Sequence, residues 1–453
     1  MVDGLSSDAT QACGGPGRGL CKEVISPPED LEAFPLEERI LLDDRLNWPT
    51  RFFQSLCSCQ GNFKGFACHR CKTGWTGTNC TIRRPTRVRR NVLTLSVAEQ
   101  REFRDRISLS KRTPMTEWLA LNISTSLNGD PANLRTIQLV QVPSIYDYFV
   151  FLHVYASRST LTMDSIWQSK CDPRQQKLDF AHKGPGFPTW HRAYVLFVEE
   201  ELGRLTPSLT DPFSKRDGDN FALPYWDWTG QTGCSVCTTD LVGAFLPNGQ
   251  LLDSSPFADW VTFCPQRPDF DDCHVCDPGL LTSNGRKSPM AGATLWRKVN
   301  DPKLAPGFAR LPDQLDVDIT LNCSDYDAWP YSMGAGRRSF RDLLEGFTDP
   351  KDGDSIILPL PSGSANEVNI NQTNTTVSVA SPISSVLNVP VHMHNLVHSY
   401  FNGSWFDVAT SPNDPIFFLH HTFVDKLFEL WIRKNRPSPE QVGPWDDGFC
   451  FFE

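Results

Sequence analysis

Four stretches of this chain carry apolar residues at helical spacing, and histidines interrupt every one of them. Residues Tyr146 to Tyr155 read Tyr-Asp-Tyr-Phe-Val-Phe-Leu-His-Val-Tyr, which predicts a buried aromatic helix bearing His153. A second apolar helix is predicted over Trp190–Glu200, opened by His191. In the third, His394 and His398 stand four apart, so a helix places both imidazoles on one face. The fourth surrounds His420-His421, with apolar positions 417, 423, 424, 427, 428 and 431 implying a deeply buried helix. Ahead of it, Asn413-Asp414-Pro415 supplies a capping side chain and a proline suited to a first turn. His182 precedes Gly184, Pro185, Gly186 and Pro188, and is assigned to a loop. Residues 348–391 are rich in Ser, Asn, Thr, Pro and Gly and read as a long surface loop between Glu345 and His394, able to shape a pocket rim. No internal repeat is present.

Eight of the ten histidines fall in the two blocks 153–191 and 392–421. Clustered neutral imidazoles with few thiolates suit a borderline or soft transition metal, and two separate triplets imply two ions. Singly, His153, His182 or His191 reads as a structural residue. Two adjacent histidines inside an apolar helix are another matter, because their burial is costly unless something binds them. His392 reads as an extra loop histidine.

Phe180-Ala181-His182, Pro188-Thr189-Trp190-His191-Arg192, Pro224-Tyr225-Trp226-Asp227-Trp228, His394-Asn395…His398 and Asn413-Asp414-Pro415-Ile416-Phe417 together resemble the animal tyrosinase family, over about residues 10–435. The resemblance implies a mainly α fold whose central four-helix bundle holds a dinuclear metal site. It assigns one copper to His153, His182 and His191 and the other to His394, His398 and His421. It implies ortho-hydroxylation of monophenols such as tyrosine by O2 and oxidation of o-diphenols such as DOPA to o-quinones, as in melanin synthesis. By the same resemblance Glu345 and Asn395 hold a water that takes the phenol proton, a sensible role because a monophenol is a weak acid. The plain alternative for Glu345 is a solvated helix carboxylate. No cysteine stands two residues before His182, so the thioether of some family members is not expected.

Three histidines and an open position serve zinc as well as copper, so ligand count does not choose the metal. Tyrosinase-related proteins, which carry zinc or tautomerise dopachrome, are therefore the alternative. His420 before His421, and apolar Phe347 and Val408, resemble the copper oxidases; Leu396-Val397-His398-Ser399 resembles the tautomerase branch. A hemocyanin-like oxygen carrier with the same ligands, and a decayed paralogue, complete the set.

Fifteen cysteines suggest an oxidising compartment. Cys57-Ser58-Cys59, Gly61, Gly65, Cys68, Cys71, Gly74, Gly77 and Cys80 resemble an EGF-like module, which implies bridges Cys59–Cys68 and Cys71–Cys80 and a bond from Cys57 back to Cys13. Cys68-x-x-Cys71 leaves a zinc knuckle as the rival. Cys234-x-x-Cys237 and Cys273-x-x-Cys276 are also read as disulfides, with Cys264 a third partner in the latter group; Cys21 and Cys450 are candidates for an unpaired thiol. The expected organisation is a cysteine-rich module over 1–90 with its core at 57–80, then a metal-binding domain over 91–453 with the insertion at 348–391. Arg83-Arg84-Pro85-Thr86-Arg87-Val88-Arg89-Arg90 links the two and is also a candidate dibasic cleavage site. Six Asn-x-Ser/Thr sequons, at Asn79, Asn122, Asn322, Asn371, Asn374 and Asn402, fit a secretory-pathway glycoprotein in a melanosome-like lumen or outside the cell. Neither a signal peptide nor a membrane span is visible, and the stop at Glu453 suggests a truncated chain. A net charge of −10 argues against nucleic acid as a partner, and the resemblance implies small phenols and O2.

Overall fold

A computed structural model of the chain describes residues 12–24, 55–116, 119–124, 136–157, 181–182, 184–205, 221–263, 294–299, 310–327, 339–346, 393–405, 408–438 and 442, with short strands inside 356–387. His392, Phe347, Cys264, Cys273, Cys276 and Cys450 lie outside the described residues.

The N-terminal part is built on disulfides because it has little apolar mass of its own. Strands β1 (Gly19–Glu23) and β2 (Ser55–Cys59) pair antiparallel, as do β3 (Phe63–Lys64) with β4 (Arg70–Cys71) and β5 (Trp75–Thr76) with β6 (Ile82–Arg83). Bridges Cys13–Cys57, Cys59–Cys68 and Cys71–Cys80 staple the hairpins, as the resemblance implied. Cys68 and Cys71 bond to different partners, which removes the zinc knuckle. Around the bridges, Cys13, Phe63, Cys68 and Cys80 form a small core separate from the main one. Gly19 is there by necessity, since a Cβ would stand 2.5 Å from the Cys68 sulfur. Cys21 is a free, exposed thiol.

Helix α1 (Val97–Arg112) follows, started by a reciprocal Ser96/Glu99 capping box. A hairpin of β7 (Leu119–Ser124) and β8 (Thr136–Gln141) leads to α2 (Ile145–Ala156). Next come α3 (Gly186–Arg204), α4 (Gln314–Asn322), α5 (Phe340–Glu345), α6 (His394–Phe401) and α7 (Ile416–Asn435). Helices α2, α3, α6 and α7 enclose one interior, and this is the predicted four-helix bundle. Phe149 of α2 and Tyr194 of α3 both meet Phe418 of α7, while Phe187 of α3 meets His394 of α6. Buried tyrosine hydroxyls are satisfied across elements: Tyr194 donates to the Phe149 carbonyl at 2.8 Å and Tyr146 to that of Pro412 at 2.7 Å. None of the described helices is long and apolar enough to cross a membrane.

Two sequence expectations change. Helix α3 begins at Gly186, not at His191, because its first turn needs no N–H partners and so accepts Pro188. The stretch 348–391 contains two antiparallel strand pairs, Ile356–Leu358 with Ser385–Leu387 and, between them, Asn369–Ile370 with Thr375–Thr376, so it is not plain loop. The basic run makes defined contacts with both parts of the chain. Arg83 lies over the Trp75 ring at 4.4 Å, Arg87 and Arg89 reach Glu199, and Arg90 pairs with Glu99. Cys234–Cys237 forms as expected. Among the sequons, Asn79 and Asn322 are exposed, whereas the Asn402 side chain is buried and accepts from the Gly403 N–H.

Candidate metal centre

The bundle interior collects seven buried histidines in two groups, His153/His182/His191 and His394/His398/His420/His421. Helix α2 presents His153 and α3 presents His191, while His182 sits on a bend just before α3, the loop position read from sequence. Helix α6 presents His394 and His398 from one face, and α7 presents the adjacent pair. The groups face one another: the His191 and His421 rings stack at 4.3 Å with 16° between planes.

Backbone and side-chain acceptors fix the tautomers. His153 Nδ1 donates to the Ala409 carbonyl at 3.0 Å and His191 Nδ1 to that of Phe187 at 2.8 Å. His398 Nδ1 donates to the Trp405 carbonyl at 3.2 Å, and His394 Nδ1 to Asn395 Oδ1 at 2.9 Å. In neutral imidazole this leaves Nε2 as a bare lone pair. The two Nε2 atoms of His153 and His191 then face each other at 3.4 Å, and those of His394 and His398 at 3.0 Å. His421 Nε2 lies 3.1 Å from His394 Nε2. Lone pairs held this close repel unless a cation stands between them. Two nitrogens each about 2.0–2.1 Å from a shared ion lie roughly 3.3–3.4 Å apart at the tetrahedral angle and about 3.0 Å apart at an angle near 95°. The donor set therefore fits one metal ion in each group.

His420 is different in kind. Trp228 Nε1, a donor only, reaches His420 Nδ1 at 3.0 Å, so Nδ1 is the acceptor and Nε2 carries the proton. That Nε2 and the Nδ1 of His421 are buried without a hydrogen-bond partner. A neutral His420 thus offers no lone pair to a metal, and His421 does. Sequence spacing did not supply this distinction; the Pro-Tyr-Trp-Asp-Trp motif that carries Trp228 was its one available signal.

Burial, followed by neighbouring imidazoles, holds His153, His191, His394 and His421 well below the usual histidine range, and burial takes His398 down to about 3. Unfolded histidines titrate near 6.5. Below that pH the unfolded chain binds protons that the folded chain refuses, so folding stability is lost as pH falls from about 6.5 toward 3. Each such group contributes up to about 1.4 kcal/mol per pH unit. Chelator-treated protein should show a urea midpoint that drops steadily between pH 7 and pH 5; a flat midpoint would contradict neutral burial of these rings.

Glu345 ends α5 and is wholly buried, not the solvated carboxylate of the plain reading. Arg341 Nη1 holds its Oε2 at 3.2 Å, and Arg341 is itself gripped by Asp327 (Nη2–Oδ1 2.7 Å, Nε–Oδ1 3.1 Å) and by Asp342 at 2.6 Å. Burial raises the Asp342 carboxyl above its ordinary value. Gly346 caps the helix at φ 95°, where a Cβ would stand 3.2 Å from Asn395 Cβ, so the turn after Glu345 rests on the start of α6. Gly346→Ala is therefore strained twice, by its φ and by that contact, and should shift Asn395 and His394. Weaker metal uptake together with a lower melting temperature is the expected result, and wild-type values for both would refute it. Arg341 and Asp327 carried no sequence signal that marked them as neighbours of the site.

Residues 143–434 match the family description "Common central domain of tyrosinase". The chain is 34% identical over 441 residues to the tyrosinase of Pelophylax lessonae, covering 94% of this chain and 69% of that protein. It is 32% identical over 440 residues to the 5,6-dihydroxyindole-2-carboxylic acid oxidase of Bos taurus, covering 95% and 69%. Among solved structures, a mutant polyphenol oxidase from Thermothelomyces thermophila is similar at 17% identity with a TM-score of 0.39, covering 80% of this chain and 71% of that one.

Proposed function

This chain belongs to the tyrosinase family of oxidoreductases, and on that premise we propose that it is a copper-dependent oxidase of phenols. Its reactions would be ortho-hydroxylation of monophenols and oxidation of o-diphenols to o-quinones. His153, His182 and His191 hold one copper ion, and His394, His398 and His421 the other. The observation that carries this is the pair of opposed Nε2 lone pairs in each group, at 3.4 and 3.0 Å, with both tautomers tied. When bound, the copper pair supplies the activation of O2.

The protein contributes orientation, dryness and proton handling. Phe417 stacks on His421 at 4.0 Å and Phe187 packs on His394 at 4.8 Å, so apolar rings cover these two imidazoles and keep them in a dry setting. Glu345, with Asn395, would hold the water that takes the phenol proton. Burial gives that carboxylate a defined place, and Arg341 keeps it there. Four disulfides among the described residues support the lumen of the secretory pathway or the extracellular space. The separate small core at the N-terminus supports a division into a cysteine-rich module over 1–90 and a metal-binding domain over 91–453.

Oxygen uptake by copper-reconstituted protein, first with L-tyrosine and then with L-DOPA, tests the reading. Uptake with both is expected. Uptake with neither, despite two bound ions, would favour zinc tautomerisation or oxygen carriage. Glu345→Gln should slow the monophenol reaction about 10²–10⁴-fold, the usual worth of a placed base, and affect the diphenol reaction far less. Equal losses on both substrates would remove Glu345 from proton transfer.

A further inference from the structure

The strap that joins the cysteine-rich part to the bundle meets the charged surface of two of the four histidine-bearing helices, α3 and α7. From Arg87 to Arg90 exposure alternates residue by residue, as along a strand. Arg87 and Arg89 turn inward, whereas Val88 is 70% exposed and Arg90 pairs at the surface with Glu99. Its register is fixed by the backbone, since Tyr225 N–H donates to the Arg90 carbonyl at 3.0 Å and Val92 N–H to the Tyr225 carbonyl at 2.8 Å.

Arg89 has one carboxylate on each side. Its Nε donates to Glu199 Oε2 at 2.8 Å and its Nη1 to Asp425 Oδ2 at 2.8 Å. Glu199 lies on α3, about two turns beyond His191, and Asp425 on α7, about one turn beyond His421. Glu199 is buried and also accepts from Arg87 at 3.3 Å and from the Leu223 N–H at 2.9 Å. Asp425 also accepts from Arg192, the residue after His191, at 2.5 Å. Two guanidinium ties therefore join α3 to α7: Arg192 on α3 reaches both Asp425 and, at 3.0 Å, Glu429 one turn further along α7, and Arg89 of the strap joins Glu199 to Asp425. One tie lets the helices roll about it; two fix spacing and roll together.

We propose that Arg89 is a positioning residue that sets the separation of the two metal groups, acting through Glu199 and Asp425 on His191 and His421. The planar fork matters, because an ammonium has no two rigidly spaced donors with which to bridge both carboxylates. The proposal rests on the two-ion reading above, and is independent of which phenol is oxidised.

The test compares the full chain with Arg89→Met, Arg89→Lys and the strap control Arg90→Ala. Each is titrated with Cu(I), and metal content, metal–metal separation by X-ray absorption and near-ultraviolet circular dichroism are recorded. Arg89→Met should bind its second ion about 10–100-fold more weakly, the range for outer-sphere partners of a metal site, with a longer or scattered separation. Arg89→Lys should fold and fall between it and wild type, and Arg90→Ala should match wild type. Wild-type affinity and separation in Arg89→Met would overturn the proposal, as would equal losses in Arg89→Met and Arg90→Ala. If Arg89→Met does not fold, Arg89→Lys decides: a native separation refutes the role and a lengthened one supports it. Wild-type protein binding fewer than two ions would defeat the two-ion reading and the proposal with it.

Discussion

His421→Ala is expected to yield a folded protein that binds one metal ion per chain instead of two, with phenol oxidation down by more than about 100-fold. The floor on that figure comes from outer-sphere substitutions, which alone cost 10–100-fold in metal affinity or activity. The comparison that gives the result its meaning is His420→Ala. The two histidines are adjacent on α7 and equally buried, but Trp228 occupies His420 Nδ1 and leaves its Nε2 protonated. His420→Ala should therefore retain two ions, losing only what the Trp228 contact contributes to packing. Metal analysis of both variants settles the assignment. Loss of the second ion in His420→Ala with retention in His421→Ala would reverse it.

Arg297→Met should destabilise the fold by about 3–5 kcal/mol, the cost of stranding one member of a buried ion pair. Arg297 and Asp414 are both fully buried and meet through two bonds, Nε to Oδ2 at 2.6 Å and Nη2 to Oδ1 at 2.9 Å. The remaining guanidinium donors go to the carbonyls of Gly243 at 2.6 Å and Val242 at 2.7 Å and to the Cys237 sulfur at 3.9 Å. Asp414 also accepts from the Ile416 N–H at 3.1 Å, so the same carboxylate caps the helix that carries His421. Removing Arg297 leaves an unpaired charge at the start of α7. Urea denaturation of metal-free protein measures the loss directly, and metal titration should show weaker binding at the His394/His398/His421 group. A loss below about 1 kcal/mol would mean that the pair is not the anchor of that helix.

Much of the site was readable from local order. The four-residue spacing of His394 and His398 required a shared helix face, and α6 supplies it with Nε2 atoms 3.0 Å apart. The apolar periodicity of 417–431 placed α7, and the Asp414-Pro415 pair placed its start. Misreadings came where local signals conflict. Glycines and prolines before His191 were read as loop, although a helix's first turn tolerates both. The partners of the basic run were not readable either, because charge alone does not say which carboxylates lie opposite.

By itself, the sequence determined the four histidine-bearing helices, the histidine inventory, the module's disulfide pairing by resemblance and the family, because each is written in short-range spacing or in motifs. Tertiary structure alone gave the physical reason for preferring His421 to His420, and showed where Glu345 is held and what Arg89 bridges. Those choices depend on partners such as Trp228, 192 positions from His420, and Asp425, 336 positions from Arg89. Imidazole tautomers and buried charges are set by whichever donor or acceptor the fold brings within about 3 Å, and spacing along the chain carries no record of that.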